Sequence, residues 1–172
     1  MTINIVQGDI TEMSVDVIVN AANPSLLGGG GVDGAIHRAA GPWLLKECKQ
    51  WVADNGELPT GDVAITPAFA LRAQYVFHTV GPIYWQHSEK EAATLLRRCY
   101  DACLGSAIVL EAKTIAFPSI STGVYGYPIE KAAKEVRDVI DTQKYGDSSL
   151  EEVYLVLFSK SDLDVYNKVF GK

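Results

Sequence analysis

No apolar run in the 172-residue sequence approaches the roughly 20 residues needed to cross a bilayer. The N-terminus "MTINIVQGDI" alternates like a strand and lacks a basic, signal-like start, which gives the expectation of an untargeted, cytoplasmic protein with no membrane partner. Cysteine is scarce and odd in number: Cys48, Cys99 and Cys103 form neither C-x-x-C nor a Cys/His cluster of metal spacing, so they read as core thiols on helices. Positive charge is in deficit, 15 Lys and Arg against 21 Asp and Glu, for a net charge of −6. A protein that covers a nucleic-acid backbone by bulk electrostatics is therefore not expected. A small anionic ligand is not excluded by that deficit, because backbone amides bind phosphate without lysine or arginine. Repeats, low-complexity tracts and long linkers are also missing, which predicts a single domain over 1–172.

Short apolar segments of strand type alternate with longer segments of helical period. The strands are expected at Ile3–Val6, Val15–Asn20, Val63–Thr66, Tyr75–Val80, Thr114–Phe117 and Val153–Phe158. The helices are expected at Val32–Ala40, Trp43–Asp54, Glu89–Glu111, Ile129–Thr142 and Asp162–Val169. Ser88 precedes Glu91 by the spacing of a capping box, and Pro128 suits a helical first turn, where a missing amide hydrogen costs nothing. The alternation predicts an α/β fold with a mostly parallel sheet flanked by helices. Ligands of such sheets bind outside the carboxyl ends of the strands. Two loops stand there: "NAANPSLLGGGGVDG" after the second strand and "PSISTGVYGYP" after the fifth.

Four consecutive glycines are costly to order, and here they run into a helix whose first amides point outward. That is an anion site unless the run is a slack surface loop. The second loop, Ser121–Gly126, is another small-residue turn before a helix, and two such loops suit two linked phosphates. Gly29, Gly31 and Gly34 satisfy G-x-G-x-x-G by letter, with Asp54 twenty residues beyond. The context rejects a dinucleotide fingerprint, since eight residues separate the strand from the first of these glycines, and no Gly-Lys-Ser or Gly-Lys-Thr follows for a P-loop.

The blocks "GDIT" at 8–11, "VNAAN" at 19–23, "GGGGVDGAIHRAAG" at 28–41, "HTVGP" at 78–82 and "PSISTGVYGYP" at 118–128 together resemble a macro domain of the MacroD-like class. The resemblance implies a three-layer α/β/α sandwich with a mixed, mostly parallel central sheet and ADP-ribose in a cleft on the loop face. It implies an ester hydrolase acting at the distal ribose, as an O-acetyl-ADP-ribose deacetylase or a mono-ADP-ribosyl-Asp/Glu hydrolase, or alternatively a non-catalytic ADP-ribose reader. ADP-ribose and O-acetyl-ADP-ribose are the implied partners, with ADP-ribosylated proteins beside them. No cofactor is implied, and the Cys/His insertion of zinc-containing relatives is absent, so no metal is expected.

By the same resemblance Asp9 and Ile10 meet the adenine and Phe158 stacks beside it, although Asp9 also suits a turn cap and Phe158 the core. Gly30, Gly31 and Val32, with Ser121, Thr122, Gly123, Val124 and Tyr125, surround the diphosphate and the adjacent ribose. The Tyr125 ring either closes over the distal ribose or pins its loop. Asn20 supports the first loop, and Asn23 binds the distal ribose or shapes a turn before Pro24. Asp33 either caps a helix or orients an attacking water. His37, one turn along, either supports Asp33 or packs the helix. The catalytic set is thus Asp33, Asn23 and His37.

Overall fold

The computed structural model describes residues 1–142, 145 and 148–172. Six strands form one sheet: β1 (Thr2–Gln7), β2 (Val17–Ala21), β3 (Val63–Pro67), β4 (Tyr75–Thr79), β5 (Thr114–Phe117) and β6 (Glu152–Leu157), in the order β1-β6-β5-β2-β4-β3. All neighbours are parallel except β3, which pairs antiparallel with β4 on the edge. The helices are α1 (Gly31–Ala40), α2 (Pro42–Asn55), α3 (Glu89–Val109), α4 (Ile129–Asp141) and α5 (Lys160–Phe170). The α/β/α sandwich with a mixed, mostly parallel sheet is the expected fold.

Alternation along the strands separates two cores. On β2, Val17 and Val19 join the side covered by α3, α4 and α5, whereas Ile18 joins the side covered by α1 and α2. Each of these side chains is fully buried, worth about 1.5–3 kcal/mol relative to exposure. Helix α4 places Ala132, Ala133, Val136, Val139 and Ile140 inward at intervals of three and four, the stripe of an amphipathic helix. Ser88 accepts a hydrogen bond from the Glu91 amide at the start of α3, as its spacing predicts. All three cysteines are buried on α2 and α3.

Several boundaries differ from the sequence reading. Strand β2 begins at Val17, because the Asp16 carboxylate accepts from the Lys113 and Thr114 amides and turns the chain just before it. Phe158 falls one residue beyond β6. Pro128 occupies the N-cap of α4 instead of its first turn. Short 3-10 helices at Ile10–Glu12 and Tyr84–Gln86 have no periodicity to betray them.

Because β1, β6, β5, β2 and β4 run parallel, their carboxyl ends lie along one edge of the sheet. Gly8 and Asp9, Phe158, the Ser121 loop, the glycine loop and Gly81 leave that edge in this spatial order. Three strand intervals separate β1 from β2, or ~14 Å at ~4.8 Å each.

Candidate active site

The glycine loop is not slack. The Leu26 amide donates to the Asn23 carbonyl, the Leu58 amide to the Pro24 carbonyl, and the Leu26 side chain is buried in the α1/α2 core. A Cβ at Gly34 would collide with the Gly29 carbonyl, so only glycine lets α1 start so close beneath the loop. Nothing lies within 4 Å of where a Cβ would project from Gly30 or Gly31, and Gly31 has a φ of +58°, which glycine adopts without strain. No side chain caps α1, since its N-cap is Gly30. Among the described residues, the amides of Gly30 to Asp33 have no backbone acceptor, nor do those of Ser121 to Tyr125. Two turns thus present free donors on one edge of the sheet.

They face each other. The Tyr125 hydroxyl donates to Asn23 Oδ1 at 3.0 Å, and Asn23 Nδ2 donates to the Gly28 carbonyl at 3.3 Å. A side chain at Gly81 would overlap Ser121, so the end of β4 is packed against the second loop. Ser119 and Thr122 bond through their hydroxyls at 2.6 Å and hold that loop's base, while Val124 is 88% exposed at its tip.

Asp33 lies in the first turn of α1 yet does not cap it. Its Oδ1 accepts from Asn20 Nδ2 at 2.9 Å and lies 3.5 Å from His37 Nε2. The carboxylate is 5% exposed, and burial raises its pKa against the opposing effects of the Asn20 hydrogen bond and His37. Its second oxygen is buried without a hydrogen-bond partner, as are Asn20 Oδ1, His37 Nε2 and Ser121 Oγ. Buried polar atoms are normally paired. The orphaned atoms of Asp33, Asn20 and His37 belong to neighbouring side chains and leave capacity for a partner that brings its own donors and acceptors. Gly29 closes the arrangement: a Cβ there would sit 3.1 Å from Asn23 Nδ2 and 3.7 Å from Asp33 Oδ2, so both side chains converge on one spot.

Asp9 does cap a turn, its Oδ1 accepting from the Thr11 amide at 2.9 Å and the Thr11 hydroxyl at 2.7 Å. Ile10 is buried in the α1/α2 core, which leaves only its backbone to face a ligand. Phe158 is 84% exposed, so core packing does not account for it. Its strand neighbour β1 is tied to it by the Gly8 amide, which donates to the Leu157 carbonyl. Val32 is partly buried against the α1/α2 core, with its amide free. Among the described residues no group of three or more His, Cys, Asp or Glu side chains is placed to hold a metal ion.

Local sequence gives no role to His78 or Thr66, yet both are buried, His78 beside Asn20 and Thr66 on the far side of His78. His78 Nδ1 lies 3.1 Å from Asn20 Nδ2, and His78 Nε2 lies 3.0 Å from Thr66 Oγ1. The available signal was a polar residue in the buried phase of an otherwise apolar strand.

A family model described as Macro domain matches residues 19–136. A macro domain-containing protein of Listeria monocytogenes is 51% identical over 175 residues, covering 99% of this chain and 98% of its own. A Salmonella gallinarum protein named O-acetyl-ADP-ribose deacetylase is 50% identical, covering 97% and 93%. Among solved structures, an Oceanobacillus iheyensis macrodomain mutant with ADPR superposes with a TM-score of 0.91 at 49% identity, covering 97% of this chain and 90% of that one. A Trypanosoma brucei macrodomain in complex with ADP-ribose gives 0.86 at 38%, covering 98% and 69%.

Proposed function

The chain belongs to the macro domain family, and from that premise we propose that it is an ADP-ribose-binding hydrolase that cleaves esters at the distal ribose without a metal. The facing donor loops support a diphosphate site between β5 and β2. Asp9, Ile10 and Phe158 stand at the β1/β6 end, where the adenine is proposed to lie, and Asn20, Asn23 and Asp33 stand at the β2 end, where the far sugar follows. The deacetylase name of the Salmonella relative and the ADP-ribose held by the Trypanosoma structure fit this assignment.

One observation carries the reading: a buried carboxylate with an unpartnered oxygen, aimed beside Asn23 where the two loops meet. A carboxylate close to a diphosphate is repelled by it, so a site built only to hold phosphate gains nothing from Asp33. A water held between Asp33 Oδ2 and Asn23 is placed to attack the acyl carbon of an ester on the distal ribose. As the new carbon–oxygen bond forms, Asp33 accepts the water's proton; the bond from the acyl carbon to the ribose oxygen then breaks and Asp33 returns that proton to the leaving ribose oxygen, giving a carboxylic acid and ADP-ribose. Burial makes Asp33 a stronger base, while Asn20 and His37 favour its ionised form. His37 acts here as support for the carboxylate.

Asp33→Ala tests this directly. Turnover of O-acetyl-ADP-ribose is expected to fall by about 10²–10⁴-fold, the usual worth of a positioned acid or base. Calorimetric binding of ADP-ribose is expected to survive, and unchanged turnover would remove Asp33 from the reaction. A wild-type protein that binds ADP-ribose and turns over neither an acetyl ester nor an ADP-ribosylated Asp/Glu peptide is a reader instead. Activity undiminished by a chelator is the expected result for metal independence.

A further inference from the structure

We propose that His78 is a positioning residue for Asp33: its imidazole locks the amide of Asn20, and that amide aims the carboxylate into the cleft. The inference rests on the hydrolase reading for its consequence in turnover, but the hydrogen-bonded row stands on geometry alone. Parallel register sets Asn20 on β2 beside His78 on β4, and antiparallel pairing brings Thr66 on β3 within reach. All three side chains turn to the α1/α2 face and are essentially inaccessible to solvent. The row therefore runs from an edge strand through an apolar core to the first turn of α1.

Donor and acceptor logic orients every member. An ionised carboxylate only accepts, so the Asn20 atom 2.9 Å from Asp33 Oδ1 must be the NH₂ group. The opposite amide orientation would set two oxygens against each other. The second hydrogen of the same group points at His78 Nδ1 at 3.1 Å, so Nδ1 must offer a lone pair and the ring proton must sit on Nε2. That proton is donated to Thr66 Oγ1 at 3.0 Å, with Cys48 Sγ from α2 at 3.8 Å. Burial pushes the His78 pKa down to about 3, so the lone pair on Nδ1 persists throughout the working range. The groups that bear on Asp33 electrostatically are His37 on α1, Cys48 on α2 and Tyr125 on the second loop, and none of them replaces the Asn20 donor.

A merely space-filling histidine makes the opposite forecast from a positioning one. Leucine approximates the volume of histidine and offers no acceptor, whereas asparagine is smaller but places Oδ1 where Nδ1 stood. If His78 only fills space, His78→Leu is the milder change. If it positions, His78→Asn is the milder. The expected result is a fall in kcat of about 10–100-fold in His78→Leu, the range seen for supporting residues around a site. Affinity for ADP-ribose stays unchanged, and His78→Asn recovers most of kcat. Thr66→Val, which removes the acceptor at the far end of the row, falls between the two.

Two spectroscopic readouts accompany the kinetics. Nitrogen-resolved NMR of the imidazole is expected to show the neutral Nε2–H tautomer from about pH 5 to 8, the range over which an ordinary histidine titrates. Carbon-detected titration of the Asp33 carboxyl is expected to move upward in His78→Leu, because the hydrogen bond that favours its ionised form is loosened, and to return in His78→Asn. An Nδ1–H tautomer, an imidazolium, or kcat in His78→Leu matching or exceeding that in His78→Asn would overturn the proposal. If the wild-type protein turns over no ester, the hydrolase reading fails, and the carboxyl titration alone decides whether His78 positions Asp33.

Discussion

The two faces of the sheet are built to different ends. Toward α3, α4 and α5 the strands present Val17, Val19, Phe77, Ile115 and Phe117, packed on Leu96, Tyr100 and Leu104, and the polar end of Tyr100 is satisfied by the Pro118 carbonyl. Toward α1 and α2 the strands present Ile18, Val76 and Ala116, but Asn20, His78 and Thr66 interrupt them and lead to a buried carboxylate. The first face stabilises mainly by apolar burial, with its few polar ends paired. The second gives up apolar packing, and leaves Asn20 Oδ1 and Asp33 Oδ2 unpaired, in order to hold Asp33 in one orientation. Polar groups are retained in a core at such a cost where their geometry is used.

Substitutions can break or sharpen that contrast. The largest effect is expected on the apolar face, where Phe117→Ala should cost about 3–5 kcal/mol in denaturant unfolding by opening a cavity beside Tyr100. A cost no greater than that of a surface change would show that this face is not the main source of stability.

Acid should next expose the polar face. His78 has a folded pKa of about 3 against an ordinary 6.5, so between these values the unfolded chain binds a proton that the folded one refuses. Stability from this group is complete above pH 6.5 and is lost as pH falls toward 3, with a slope of up to about 1.4 kcal/mol per pH unit. His78→Asn should remove that slope from unfolding measured across the window, and an unchanged slope would assign it to other groups.

Asp33 carries the opposite sign. Its pKa is raised above 3.8 by burial, so the folded protein holds the proton more tightly and stability declines as pH rises from 3.8 through the folded value. Asp33→Asn is therefore expected to stabilise the fold by about 0.5–2 kcal/mol at neutral pH while abolishing turnover, and the gain should vanish in strong acid. A loss of stability at pH 7 would mean that the ionised carboxylate is better paired than its orphaned oxygen indicates. The smallest expected effect is Tyr125→Phe, which removes the bridge to Asn23 and should weaken ADP-ribose binding by about 0.5–1.5 kcal/mol in calorimetry.

Most helices and strands were legible because their apolar spacing is local. Ser88 and Glu91 announce the start of α3 within four residues, and the Thr114–Phe117 strand is bounded as its apolar run suggests. The glycine run marks a donor-rich loop before a helix, whereas the close backbone approach there is made at Gly34, outside the run, against a carbonyl five residues back. Less legible were features that depend on partners far along the chain. The start of β2 is set by Asp16 reaching the Lys113 and Thr114 amides, and nothing near Val15 reveals that. His78 stands within the block at 78–82, but nothing local reveals its role, because its partners Asn20 and Thr66 come from two other strands.

The sequence by itself determined the alternation of elements, the two loops rich in free amides and the presence of a carboxylate one turn into a helix after the glycines, since each depends on residues close together in the chain. Only the tertiary structure decided that the loops face each other through Tyr125 and Asn23, and that Asp33 is held by Asn20 instead of capping its helix. The reason is strand order: β5 lies beside β2, and β4 on β2's other side, so groups about 100 and 58 residues apart meet at hydrogen-bond distance.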